Sequence, residues 1–205
     1  MIKLNSETLN NIFNTEPPSL LFHYSSPTGL VGMIKSRQVW ATNISFLNDA
    51  KEIEHAVDYA RNAIENFRRK NHWTKEEIIL LDKMHSSAGS AAKRIYIFSL
   101  TEERDLLSQW RAYCPSSGGY SIGISSKQLN KMAAKQRFFL CKCVYDHTLQ
   151  YRIVSEIIIQ FIERYRSLMV VDQANQELID KISWEFAQTL ARFGPILKHP
   201  TGPAP

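Results

Sequence analysis

The stretch from Ile95 to Ile124, IYIFSLTEERDLLSQWRAYCPSSGGYSIGI, decides how the rest of the chain is read. It predicts a strand, a sharp break, a short helix, a glycine turn and a second strand. Ile95 to Phe98 is a β-branched and aromatic run suited to a buried strand. Asp105 is placed to cap a helix through Leu106, Leu107, Trp110 and Tyr113, whose spacing sets Leu106, Trp110 and Tyr113 on one face. Pro115 to Gly119 turns the chain, and Tyr120 to Ile124 alternates as a strand. Between the two strands stand Ser99, Asp105, Ser108, Gln109, Arg111 and Tyr113, a concentration of polar groups in a connection, where scaffolds hold working residues.

Working outward, the flanking segments predict a mixed order. A helix from Ser6 to Phe13 stops at Pro17-Pro18, and Leu20 to Phe22 begins a strand that delivers His23 and Tyr24 at its end. Ser26 before Pro27 is a helix start, with Leu30, Val31 and Ile34 as the buried stripe, followed by a strand from Gln38 to Ala41. Asn43 to Asp49 reads as a loop, and Asn48-Asp49 with Glu52 has capping-box spacing for a helix to about Lys70. That helix has Ile53, Val57, Ala60, Ile64 and Phe67 on its apolar face, and Thr74 opens another through Ile78, Leu81 and Met84. His85 to Ala92 reads as a loop or frayed end. Ser125 or Ser126 caps a helix near Gln128 to Ala134, and Arg137 to Tyr145 is the longest strand candidate. Two long helices close the chain, His147 to about Val171 and Gln173 to about Phe193. Their stripes are Ile153, Ile157, Phe161, Tyr165, Leu168 and Ile179, Ile182, Phe186, Leu190; Gly194-Pro195 ends the second. Without regular βαβ alternation, the expected class is α+β: one domain over residues 1–200, a small mixed or antiparallel sheet with inserted helices, and a C-terminal helical hairpin.

Composition narrows the class further. The 205 residues are 44% hydrophobic and 11% aromatic, which suits a globular chain and excludes disorder. The net charge of +5 favours an anionic partner. The positive residues are scattered along the chain, and the densest cluster, Arg68-Arg69-Lys70, reads as solvated helix surface. Cys114, Cys141 and Cys143 form neither a disulfide framework nor a zinc site, so no metal is expected, and the C-x-C pair on a strand would be two buried thiols on one face. With no signal-like apolar core and no bilayer-length apolar run, a cytoplasmic protein with no membrane contact is expected.

Each candidate for chemistry has a plain structural counterpart. His23-Tyr24 is a strand-end pair that packing alone explains, raised by the company of Ser99 and Gln109 beyond other strand ends. Asn48, Asp49 and Glu52 could bind a cation or substrate, and capping accounts for all three. Asp105, Gln109 and Arg111 could orient a phosphate or ribose, against which Asp105 is a good cap and Trp110 and Tyr113 are good core anchors. Gly118-Gly119 matches neither G-x-G-x-x-G nor a P-loop, and no hydrolase elbow or zinc-protease motif occurs.

Several of these segments together resemble a known family. LFHYSSPTGLVGMIKSRQVWAT, FLNDAKE, the Ile95 stretch and CVYD are similar to the bacterial family called domain of unknown function 2971, over Leu20 to His199. L-S-Q-W-R-x-Y at Leu107 to Tyr113 and L-N-D-x-x-E at Leu47 to Glu52 are the most specific parts. More distantly, H-Y-S followed by a helix resembles the first motif of ADP-ribosyltransferase folds. That resemblance implies NAD as cofactor and His23 as the ribose ligand, with Tyr24, Trp110 or Tyr120 stacking and Ser99 on the second-motif strand. From the polar cluster itself, Gln109 joins His23, Tyr24 and Ser99 as candidate catalytic residues, and Arg111 and Tyr113 join the candidate cofactor-binding group. Such enzymes also need a carboxylate near the ribose, where positive charge develops as the glycosidic bond breaks. The family continues after K-H-P with an acidic strand, whereas Lys198-His199-Pro200 is followed here by Thr201 to Pro205, a short non-matching tail. The departure implies a lost catalytic Glu, with Glu52, Glu102 and Glu103 as possible substitutes, and a sheet edge open to a partner strand.

Three functions follow as expectations. The first is an NAD-using ADP-ribosyltransferase-like enzyme, toxin- or phage-defence-related, acting on a protein or nucleic-acid acceptor. The second is a non-catalytic module that binds a nucleotide-like molecule or a partner. The third, nucleic-acid binding by basic charge, ranks last because no recognition motif accompanies the scattered Lys and Arg. The enzyme reading requires His23 and Trp110 to line a common cleft.

Overall fold

Ser26, Thr74 and Asp146 supply side-chain caps at the starts of three helices in the computed structural model of the chain. The structure describes residues 7–46, 50–70, 72–91, 95–136, 138–169 and 176–198. The helices are α1 (Glu7–Asn14), α2 (Pro27–Ser36), α3 (Ala50–Lys70), α4 (Lys75–Ser87), α5 (Leu107–Tyr113), α6 (Ser126–Gln136), α7 (His147–Met169) and α8 (Gln176–Phe193). The strands are β1 (Leu20–Ser25), β2 (Thr42–Asn43), β3 (Tyr96–Ile97) and β4 (Tyr120–Ser125). The class is α+β. The chain, expected as one domain, divides into two compact units: a helical unit of residues 1–12, 43–95 and 143–200, and a sheet unit of residues 13–42, 96–142 and 201–205.

The helical unit holds most of the core. Val57, Ala60 and Ile64 of α3, Leu80, Leu81 and Met84 of α4, Ile153, Ile157, Phe161 and Tyr165 of α7, and Ile179, Ile182, Phe186 and Leu190 of α8 are all buried. The 3.6-residue stripes therefore face one another as expected, and α8 packs against both α4 and α7. Two boundaries differ from expectation. The α4 helix continues to Ser87, because Leu80, Leu81 and Met84 anchor it and Ser87 Oγ donates to Ser183 O on α8 (3.1 Å), so His85 belongs to a helix. Arg137 to Tyr145 is not a strand: in its described part only Val144 bridges, parallel to Leu197, through Val144 N to Ile196 O (2.7 Å) and Lys198 N to Val144 O (3.0 Å). A β-prone run becomes a strand only where another strand satisfies its amides. Cys141 and Cys143 thus lie on irregular backbone, half-buried, and the same-face argument for them lapses; none of the three cysteines is in a disulfide.

Thr74 caps α4 in a full capping box, accepting from Glu77 N (3.2 Å) while Thr74 N donates to Glu77 Oε2 (2.9 Å). Arg166 of α7 donates through Nε to Glu77 Oε1 at 2.6 Å, with its guanidinium 5.6 Å from the Trp73 ring. Burial alone would raise the Glu77 pKa, but the Thr74 amide and the Arg166 guanidinium outweigh it and hold the carboxyl below its usual range. A lowered folded-state pKa contributes stability that is present above the unfolded value and lost as pH falls through the folded one. Urea midpoints are therefore expected to drop as pH falls below about 5, and Glu77→Gln, costing roughly 1–2 kcal/mol at neutral pH, should flatten that part of the profile.

The sheet unit is built on β1 and β4, which pair antiparallel from Leu20↔Ser125 to Ser25↔Tyr120. Ser126 N donates to Ser19 O (3.1 Å), which fixes the alternation and turns the Phe22 amide and carbonyl away from β4. They meet Thr101 instead, Phe22 N to Thr101 O at 2.8 Å and Thr101 N to Phe22 O at 2.9 Å. By the same alternation the backbone groups of Ser121 and Gly123 point outward from β4, and among the described residues no strand pairs with that edge. Gly118 in the preceding turn has φ +109°, open to glycine without strain, and a Cβ on Gly119 would come within 3.0 Å of Ser25 O.

Three expectations for this unit are corrected. Ile95 to Phe98 is not a buried strand: only Tyr96–Ile97 is extended, and none of the four side chains is fully buried. Gln38 to Ala41 is irregular, and the short strand falls at Thr42–Asn43. Ser26 does cap α2, accepting from Gly29 N (3.1 Å), but its supposed stripe is uncovered, with Val31 exposed and Ile34 66% exposed. A two-stranded sheet is too narrow to cover a whole helix face. No helix among the described residues is long and apolar enough to cross a membrane.

Candidate functional site

Consecutive side chains on an extended strand point to opposite sides, and this decides how the central residues of the sheet unit group. His23 lies on one side of β1. Its Nδ1 is 3.1 Å from the Ser99 carbonyl, and its ring centroid is 4.5 Å from that of Phe98. A carbonyl can only accept, so Nδ1 is the donor, and whenever the ring is uncharged Nε2 is left as its acceptor. Tyr120 pairs with Ser25, two residues along on the same side, and is therefore a diagonal neighbour of His23 with 49% of its surface exposed.

Tyr24 points the other way and is buried. Its hydroxyl accepts from Leu106 N (2.8 Å) and donates to Glu103 O (3.1 Å), fastening the 103–106 connection to the strand. Trp110 packs edge-on against the Tyr24 ring, centroids 4.7 Å apart at 81°. Asp105 does not cap α5: Leu106 holds the cap position without a side-chain bond, and Asp105 Oδ1 accepts from Trp110 Nε1 at 2.6 Å. The indole N–H can only donate, so it competes successfully for the nearest carboxylate. Ser121, opposite Tyr24, has its hydroxyl shut from solvent without a hydrogen-bond partner, as does Ser108 on α5.

The structure therefore joins His23 with the Ser99 backbone and Tyr120, and separately joins Tyr24 with Trp110 and Asp105. The common cleft expected for His23 and Trp110 does not form, because Tyr24, the residue Trp110 packs against, alternates with His23. Gln109 is half-buried, and Arg111 and Tyr113 are exposed on α5. Of the substitute carboxylates, Glu102 pairs with Lys142 (3.0 Å) and Glu103 is exposed. Asn48 and Asp49 lie outside the described residues, and Glu52 falls on α3, its side chain outside them too. Arg68 and Arg69 pair with Asp82 (2.8 Å) and Glu65 (3.6 Å), as a solvated surface would. No group of three or more His, Cys, Asp or Glu that could hold a metal occurs among the described residues.

Residues 109–201 match a family model, that of a protein of unknown function (DUF2971). The match begins at Gln109, inside L-S-Q-W-R-A-Y, and covers a little under half of the chain. The DUF2971 match thus takes in α5, β4, α6, α7 and α8, while the H-Y-S and L-N-D-A-K-E segments precede it. No curated protein and no solved structure matches.

A second cluster, in the helical unit, escaped the sequence reading. Tyr59 Oη is 3.0 Å from His147 Nδ1 and 3.3 Å from His147 O, and His55 Nε2 is 3.3 Å from Gln150 Oε1. Burial, helped by the Asp146 carboxylate, raises the Tyr59 phenol above its ordinary pKa. The signal was present in His55 and Tyr59, four apart on one face of α3, but their partners lie more than eighty residues away.

Proposed function

We propose that this protein binds a nucleotide-like small molecule on the His23 side of the sheet unit, as a binding module and not as a catalyst. The braced imidazole carries the reading: donation from Nδ1 to the Ser99 carbonyl (3.1 Å) orients the ring and leaves Nε2 to accept from a ribose hydroxyl. Tyr120, half-exposed on the same side, supplies an aromatic surface for a base or a nicotinamide ring. Against NAD as a test case, His23 and Tyr120 fit the ribose and ring roles, whereas Tyr24 and Trp110 do not, being committed to each other on the opposite side. Of the carboxylates in this connection, Asp105 is engaged by Trp110 and Glu102 by Lys142, which leaves the exposed Glu103 as the one a glycosidic cleavage could use and favours binding.

The second reading, an NAD-using ADP-ribosyltransferase-like enzyme, toxin- or phage-defence-related, keeps the same histidine but lacks the cleft shared with Trp110 that it was expected to need. It needs a carboxylate beside the ribose. Calorimetry of the full chain with NAD and ADP-ribose is expected to give saturable binding. His23→Ala should weaken it roughly five- to tenfold, and chromatography should detect no nicotinamide release. Release of nicotinamide would replace the binding reading with the enzymatic one. An absence of binding heat with both ligands would end both.

A further inference from the structure

Charge that is scattered along the sequence is sorted by the fold. The helical unit carries sixteen Lys and Arg against sixteen Asp and Glu, whereas the sheet unit carries nine against four, so the whole net charge of +5 resides in the sheet unit. Its densest part is α6, SKQLNKMAAKQ, which contains no carboxylate. Lys127, Lys131 and Lys135 recur every four residues and are all exposed, forming a stripe opposite the buried Leu129 and Ala133. At 1.5 Å rise per residue the stripe runs for about 12 Å. At its C-terminal end Phe138 N donates to Ala133 O (3.2 Å), which ties down the backbone where Phe138 and Phe139 stand 40% and 56% exposed.

From this juxtaposition we propose that α6 and the two phenylalanines after it form a binding surface for single-stranded nucleic acid. Lysines in a row neutralise successive phosphates, and exposed rings offer faces on which unpaired bases stack, a combination that needs no sequence motif. Exposed rings favour a single strand over a duplex, whose bases already stack on one another. An anionic membrane fits less well, because the apolar residues α6 would insert are spent in the core of its own unit. The surface shares no residue with the His23 side, and its test uses different residues.

The experiment is fluorescence anisotropy of a labelled 20-nucleotide oligouridine titrated with the full chain at several salt concentrations. Saturable binding at 50 mM salt should weaken steeply by 200 mM. The triple variant Lys127→Gln, Lys131→Gln, Lys135→Gln should reduce the slope of log affinity against log salt by about 2. Phe139→Ala should lower affinity on the order of tenfold and leave that slope unchanged. Circular dichroism should show both variants folded, since all four side chains are exposed. The proposal fails if oligouridine is not bound at 50 mM salt, or if the lysine variant keeps the full slope. It fails equally if a duplex of the same length binds as tightly with no effect of Phe139→Ala, or if phosphatidylserine vesicles displace the oligonucleotide and bind through the same lysines.

Discussion

Replacing Phe186 by alanine is expected to cost the helical unit about 3–5 kcal/mol. Phe186 has no exposed surface, and its ring meets Phe161, itself 1% exposed, edge-on at 5.6 Å and 83°. Both rings sit where α8 packs on α7, among aliphatic side chains that cannot swing in to fill the space. The loss combines the transfer energy of the ring, the cavity left behind and the edge-to-face contact. Set against total stabilities of roughly 5–15 kcal/mol, such a loss is large, and it should appear as a marked fall in the urea midpoint. Phe186→Leu, which keeps most of the volume, should lose under about 1.5 kcal/mol. Near-equal losses for the two variants would show that the cavity is not the source.

Gln150→Leu should be the second most damaging change, at roughly 2–4 kcal/mol, although it adds apolar surface to a core position. The Gln150 side chain is fully buried at the first turn of α7. Its amide nitrogen donates to Val144 O (2.6 Å) and to Lys198 O (2.7 Å), tying the segment before α7 to the segment after α8. With both N–H groups committed, the amide oxygen must accept, so His55 Nε2 is the donor at 3.3 Å. Leucine matches the volume but removes the Gln150 donor from the Lys198 carbonyl, whereas Val144 O keeps the Lys198 amide as a donor. Gln150→Glu supplies a sharper test at neutral pH: a carboxylate cannot donate to two carbonyls, so it should be worse than leucine. A glutamate variant as stable as the native protein would refute this account of the bridge.

These two residues mark how far the sequence could be read. Phe186 was legible, because Ile179, Ile182, Phe186 and Leu190 repeat with the helix period, and a stripe of that kind has to be covered. Gln150 was not, since a polar residue in a helix normally faces water, and its partners lie 6 and 48 positions away. The site divides in the same way. The strand-end pair His23-Tyr24 and the polar connection before α5 stood out by composition. That they fall into two groups follows from strand alternation once β1 is known to run from Leu20 to Ser25. Asp105 was misread as a cap although its real partner is also local: the Trp110 indole, five residues on, takes the carboxylate that the free amides of α5 would have used.

The sequence by itself determined the α+β class, the caps at Ser26 and Thr74, the apolar faces of α3, α7 and α8, and the extended character of the segments that start at Leu20 and Tyr120. These depend on interactions within a few residues or on a period, and both are written in the order of the amino acids. Tertiary structure alone decided that Phe138 to Cys143 stays irregular, that Val31 and Ile34 remain uncovered, and that a diffuse excess of positive charge collects in one unit. Each of these depends on what lies opposite in space. A strand needs a partner ladder, an apolar face needs a cover, and charges add into a field only when the chain brings them together.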